Sequence, residues 1–252
     1  MIPTPPFFGE HKMIAKSSTL SRGLSVGSAF VFALTLARAS YAGPTWDNDL
    51  WVDAGNSASM AQTVTQTGTV MEIKGRLSTT GFGNAAPDYS DMFLIQITAP
   101  TIFRISTAGG ESGGSAAFDS QLFVFKGSGS VTNPHAFGVL GNADFSSSMN
   151  GAMVQSQSND GSGFVLTDPG LYYIAISMRG VNPLSTSGLI WPNMPTGVIG
   201  FGNFDALTGW AVDPANVGGE YSIRTVGIEG VPAPGALALL ALAGLARRSR
   251  RA

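Results

Sequence analysis

Of the sixteen acidic side chains in the 252-residue sequence, fifteen fall between residues 43 and 231, several of them flanking short apolar runs. Asp88 and Asp91 precede one such run, Asp119, Asn142 and Asp144 lie at expected loop ends, and Asp47, Asn48, Asp49 and Asp53 form a group upstream. Calcium takes about six to eight oxygen ligands from carboxylates, amides and backbone carbonyls. Loops gathered at one end of a β-domain can supply them, which makes Asp88, Asp91, Asp119 and Asp144 the candidate calcium ligands. The sequence holds neither an EF-hand loop nor a nonapeptide calcium repeat, so a site depends on folding alone. The same residues also serve as formers of Asx turns.

Other chemistries are poorly supplied. Gly110-Glu111-Ser112-Gly113-Gly114 matches G-x-S-x-G, with Asp119 and His135 following in hydrolase order. That mechanism needs the serine on a tight strand-to-helix turn with an oxyanion hole behind it, whereas 108–117 reads as a Gly/Ser loop entering another strand. Neither Gly109-Gly110 nor Lys126-Gly127-Ser128-Gly129 has the spacing of a phosphate-binding loop. The absence of cysteine removes disulfides, thiolate catalysis and Cys-ligated zinc, and His135 is the single histidine beyond residue 42. Trp46, Trp51, Trp191 and Trp210 stack on sugars if exposed; as buried groups, Trp210 belongs to the core and Trp46 and Trp51 anchor the N-terminal segment. No catalytic residue is assigned.

Period-two alternation dominates the elements that must position these residues. Phe93, Ile95 and Ile97 share one face of 91–98; Phe103 and Ile105 face away from Ile102 and Arg104; Tyr172, Ile174 and Ile176 oppose Tyr173, Ala175 and Ser177; and Tyr221, Ile223 and Thr225 repeat the pattern. Further strands are expected at 69–77, 121–126 and 163–167. Turn chemistry falls at Ala99-Pro100, Asn133-Pro134, Asn150-Gly151, Asp160-Gly161 and Asp168-Pro169-Gly170. Many short strands with Gly-rich breaks imply an all-β fold, a single antiparallel β-sandwich over 69–229 with a lead-in at 43–68. Residues 181–209, with Pro183, Pro192 and Pro195, do not alternate and read as a long loop insertion carrying Trp191 and Phe201. It is either a contact surface or a cap in which Trp191 and Phe204 close one end of the sandwich.

The formal charge of −2 is segregated. Residues 1–42 carry Lys12, Lys16, Arg22 and Arg38 against Glu10, residues 232–252 carry Arg247, Arg248, Arg250 and Arg251 with no acid, and the middle sums to −9. An acidic middle disfavours nucleic acid and suits divalent cations or neutral polymers better than polyanions. The N-terminal 1–42 reads as a secretory signal: a basic stretch, an apolar run over 23–37, and Ser40-Tyr41-Ala42 placing small residues for cleavage between Ala42 and Gly43. Met13 would be the better start, since 1–12 adds nothing such a signal needs, and an uncleaved anchor is the alternative. Residues 230–252 contain Val231-Pro232-Ala233-Pro234-Gly235, an apolar 236–246, and the Arg247, Arg248, Arg250, Arg251 tail, which holds one end on the cytoplasmic side.

This C-terminal layout resembles the PEP-CTERM sorting signal, with Ala233 standing where that family usually has Glu. The resemblance implies signal peptidase and a membrane exosortase as processing partners, a transient inner-membrane anchor, and a destination at the cell surface or in the extracellular matrix, with exopolysaccharide as a partner there. A simple C-terminal anchor is the alternative. In the middle, Asp91-Met92-Phe93, Phe118 to Phe125, Gly127 and Gly129, Asn142-Ala143-Asp144, Gly170-Leu171-Tyr172-Tyr173 and Tyr221-Ser222-Ile223 form an ordered series, preceded by Trp51 to Asn56 with Ala61-Gln62. The series resembles the bacterial pre-peptidase C-terminal domain. That likeness implies a jelly-roll-like sandwich, flanked here by a signal helix and a short C-terminal hydrophobic helix. Such domains are non-catalytic binding or stability modules, several of them with calcium.

Overall fold

The computed structural model describes residues 53–81, 86–130, 133–146, 150–192, 194, 196–200, 205–214 and 217–232, and the backbone of 45–47. All lie in the unit Tyr41–Ala252. The signal segment with Ala42 and Gly43, the residues Trp51, Phe201 and Phe204, and the C-terminal Ala233, Pro234, Gly235, Arg247, Arg248, Arg250 and Arg251 lie outside the described residues, as do both expected terminal helices. Among the described residues no helix is long and apolar enough to cross a membrane.

The chain is all-β. In order it forms β1 (Thr45–Asp47), β2 (Gln62–Thr63), β3 (Glu72–Ser78), β4 (Ser90–Ile97), β5 (Arg104–Ser106), β6 (Ser115–Ala116), β7 (Ser120–Ser130) and β8 (Asn133–Asn142). There follow β9 (Met153–Gln155), β10 (Gly170–Met178), β11 (Val181–Ser185), β12 (Gly188–Leu189), β13 (Ile199–Gly200), β14 (Gly209–Val212), β15 (Gly218–Val226) and β16 (Ile228–Glu229). A six-stranded sheet runs β1-β3-β15-β5-β9, with β6 also on β15. A seven-stranded sheet runs β13-β8-β7-β10-β4-β16, with β2 also on β4. Pairing is antiparallel except β1 on β3 and β2 on β4.

The alternation places the core. Ile73 and Leu77 of β3, Ile105 of β5, Val154 of β9, and Tyr221 and Ile223 of β15 meet Phe93, Ile95 and Ile97 of β4, Leu122 and Val124 of β7, and Tyr172, Ile174 and Ile176 of β10, all buried in one cluster between the two sheets. The intervening residues of the same strands, Met92, Phe123, Phe125, Tyr173 and Ala175, are buried too, in a second cluster with Ile190 and Trp191 on the other side of the seven-stranded sheet. A sheet covered on both faces needs apolar residues at both parities, which accounts for the near-continuous apolar runs at 92–95, 122–125 and 172–176.

That second cover is supplied by the segment expected to be an irregular insertion. Residues 181–209 contain β11, β12 and β13, and β11 pairs with both β12 and β14 in a three-stranded sheet. Trp191, 3% exposed, stacks on Phe123 with ring centroids 5.4 Å apart and meets Phe125 edge-on at 5.8 Å, so it lies on the sheet face instead of capping an end. Its seat is β8, where a Cβ on Gly138 would come within 2.9 Å of the indole. Three further expectations are corrected. β7 and β8 remain paired through Ser130 and Asn133, so Gly127 and Gly129 belong to a strand and Asn133-Pro134 begins one. Pro100–Ile102 is a 3-10 turn that leaves Ile102 exposed, although Phe103 and Ile105 are buried as expected. Residues 163–167 form no strand, only the lone bridge between Gln157 and Val165.

A candidate cation site at the start of β4

Asp91 is the second residue of β4 and shares the parity of Phe93 and Ile95, so its carboxylate points between the sheets. It is 1% exposed. From the facing sheet, the Tyr221 hydroxyl of β15 donates to Asp91 Oδ2 at 2.5 Å. Tyr221 lies opposite Gly75 of β3 in register, and its phenol crosses that glycine: a Cβ there would stand 2.1 Å from the hydroxyl oxygen. Gly75 is therefore the vacancy in β3 through which Tyr221 reaches Asp91. The other carboxylate oxygen, Asp91 Oδ1, is buried without a hydrogen-bond partner.

Two more carboxylates converge on this point. Asp88 is fixed by a pair of backbone bonds, Ser78 N–H to its carbonyl and its own N–H to the Ser78 carbonyl, each 2.8 Å. Asp53 precedes Ala54, which is buried, and Gly55, whose carbonyl accepts the Met92 N–H at 2.9 Å and thus holds the lead-in against β4. One carboxylate oxygen from each of Asp53, Asp88 and Asp91 lies within 4.8 Å of the others. Burial, then the charge of Asp53, pushes the Asp88 carboxyl up from 3.8 to about 7, against a backbone hydrogen bond at Ser90. Burial, then the charge of Asp88, holds Asp91 well above the usual carboxylate range despite the Tyr221 hydrogen bond. Asp91 is buried, Asp88 half-buried and Asp53 exposed, and like charges held this close favour a proton or a cation between them. The donor set is of the kind a hard cation such as calcium takes: three carboxylates at an edge of the core, one buried oxygen of them without a hydrogen-bond partner.

The four acids singled out from the sequence do not form one group. Asp88 and Asp91 come together with Asp53. Asp119 and Asp144 sit at the same end of the seven-stranded sheet, at the start of β7 and beyond the end of β8, but outside the three-carboxylate group. Arg179 serves them instead: its guanidinium donates to Asp144 at 2.6 Å and its N–H to the Asp119 carbonyl at 2.8 Å. Burial, then Asp144, raises the Asp119 carboxyl, with Arg179 opposing. The arginine pairs with the Asp144 carboxylate alone, and Asp119 Oδ1, like Asp91 Oδ1, is buried without a hydrogen-bond partner; an ion-paired carboxylate is a poorer cation ligand than an unpaired one. Asp53 belonged to the upstream acidic group, and no spacing rule tied it to Asp88.

The remaining sequence motifs are also placed. Ser112 ends the 3-10 turn Gly110–Ser112, which leads into β6 and not into a helix, while His135 is on β8 in the other sheet, beside Phe137. The strand-to-helix turn of a serine hydrolase is thus not what holds Ser112. Trp210 packs against both clusters and its indole N–H donates to the Asn56 carbonyl at 2.7 Å. Trp191 is buried, and Trp210 is half-buried.

No protein-family model matches the chain, and neither a curated protein nor a solved structure matches it.

Proposed function

We propose that this is the calcium-binding, non-catalytic module of an exported surface or extracellular-matrix protein. The observation that carries the reading is the Asp53–Asp88–Asp91 group, in which three carboxylates converge and a buried oxygen of Asp91 has no hydrogen-bond partner among the described residues. The ion's part is to tie the lead-in, through Asp53, to the first residues of β4 and the turn before it. The jelly-roll-like arrangement expected of a pre-peptidase C-terminal-type domain is consistent with two sheets facing across one core.

Export and sorting rest on the two ends of the sequence: the basic and apolar signal over 1–42, and the Pro-containing, apolar and Arg-rich order over 231–251. Among the described residues the last buried apolar side chain is Ile228. An exosortase-type enzyme and signal peptidase are the processing partners this reading requires.

The test of the cation site is a calcium titration followed by thermal melting. A site bound only in the folded state raises stability by about 2.7 kcal/mol when calcium stands at about a hundred times its dissociation constant. The melting midpoint of the wild-type protein should rise with calcium, and that of Asp91→Asn should not. A wild-type midpoint indifferent to calcium overturns the proposal. For sorting, terminal masses of the exported protein should lack Arg251; an intact tail on secreted protein argues against processing.

A further inference from the structure

Residues 156–168, which connect β9 to β10, form a strap across the core side of the seven-stranded sheet. Its two limbs are joined by Ser158 N–H to the Phe164 carbonyl at 3.0 Å and by Leu166 N–H to the Ser156 carbonyl at 2.7 Å. At the tip, the Asp160 carboxylate accepts the N–H groups of Ser162 and of Gly200 on β13, each at 2.9 Å. A Cβ on Gly200 would come within 2.6 Å of Phe164 Cβ, so the strap lies directly on β13 there. At the base, the Lys126 ammonium of β7 donates to the Asp168 carboxylate at 2.8 Å, and the Tyr172 hydroxyl of β10 donates to the Asp168 carbonyl at 2.9 Å. The sheet order is β13-β8-β7-β10, so a strap fixed to β13 at one end and to β7 and β10 at the other crosses β8.

It does not close down on β8. Between them lies a cavity of about 290 Å³ whose apolar lining is Phe137, Val139, Phe164, Val165, Leu166 and Tyr172, with Lys126 and Asp168 at the mouth. The sheet itself shapes this space. Leu140 lies opposite Val124 and Gly138 opposite Phe125, which leaves Val139 as the extra residue of a β-bulge, a device that re-aims side chains. Register then sets Tyr172, Lys126 and Phe137 in one row across β10, β7 and β8. The lysine stem therefore leaves the sheet between two aromatic neighbours, and its ammonium reaches the mouth. Lys126 and Asp168 are 54% and 64% exposed there, and an ion pair so exposed contributes little and exchanges readily with other charges.

We infer that this cavity binds a free α-amino acid with an aromatic or branched apolar side chain. Its carboxylate takes the place of Asp168 on Lys126, its ammonium meets Asp168, and its side chain enters under the strap. The volume holds one such side chain and not the acyl chain of a lipid. A monoanion would gain Lys126 but face Asp168 as a like charge, and a monocation would meet the reverse; a zwitterion satisfies both. The cavity shares no residue with the Asp53–Asp88–Asp91 group.

The test is calorimetric titration of the full-length protein, with a chelator present, against phenylalanine, leucine and tryptophan. Saturable one-to-one binding of at least one of them is expected. Glycine, which lacks the apolar group, should bind at least about tenfold more weakly, as should 3-phenylpropanoate and phenethylamine, each of which lacks one charge. Lys126→Gln and Asp168→Asn should each weaken binding by about tenfold, and Lys74→Gln, on the other sheet, should leave it unchanged. Binding of none of the three amino acids, 3-phenylpropanoate or phenethylamine binding as tightly as phenylalanine, or unchanged affinity in both mouth variants overturns the inference. Should Asp168→Asn melt early, Lys126→Gln and the comparison of phenylalanine with 3-phenylpropanoate decide. The calcium-dependent melting shift is a separate readout, so either idea can fail alone.

Discussion

Tyr221, Gly75 and Asp91 depend on one another more than on their own strands. Tyr221→Phe would leave Asp91 Oδ2, which now accepts the phenol, with no donor in a buried place. Stranding a buried acceptor costs about 1–3 kcal/mol, so a lower melting midpoint is expected by calorimetry. Replacing glycine by alanine inside a strand is ordinarily favourable. Gly75→Ala is predicted to do the reverse, because the new methyl would overlap the phenol at 2.1 Å and drive it off Asp91. The two losses should not add when the substitutions are combined, since both break the same contact. That Asp88 and Asp91 come together could be read from their closeness in sequence before an apolar run. That Asp53 joins them could not, because it arrives through the lead-in's bond from Gly55 to Met92, a tertiary contact.

Among the elements, the three-stranded layer depends on Trp191. Trp191→Ala would remove a nearly buried indole that stacks on Phe123 and meets Phe125, a change of the kind that costs about 3–5 kcal/mol. Gly138→Ala should be destabilising as well, since its methyl would stand 2.5 Å from Ile190 and 2.9 Å from the indole. Denaturant melts of both variants check this. The same contacts explain which strands were legible. β4, β10 and β15 show period-two patterns because side chains at every second position enter one core. β8 hid because Gly138 and Gly141, positions that would otherwise advertise a strand, are empty to admit Trp191 and its neighbours. β11 hid behind Pro183, and β12 and β13 are two residues each, too short for any period to register.

At the scale of the whole molecule, the acid group links stability to pH. Asp88 sits at about 7 when folded, against 3.8 for an unperturbed carboxyl, and Asp91 is shifted the same way. The folded state therefore holds more protons than the unfolded one between those values, and stability falls as pH rises through that window. Without calcium, the melting midpoint should be lower at about pH 8 than at about pH 5, and saturating calcium should reduce the difference. Equal midpoints in chelator would contradict the crowding of these carboxyls. β15, finally, is the centre of the six-stranded sheet, pairing with β3, β5 and β6, although it is the last long strand among the described residues. Until the ribosome has released residues 218–226, β3 and β5 have no common partner, and Asp91 has no phenol. The domain consequently cannot close until this strand has been made. A nascent chain ending before Gly218 should remain open to proteases, whereas one ending after Pro232 should resist them. If the chain is exported as proposed, late closure of this kind would keep it threadable until it has crossed.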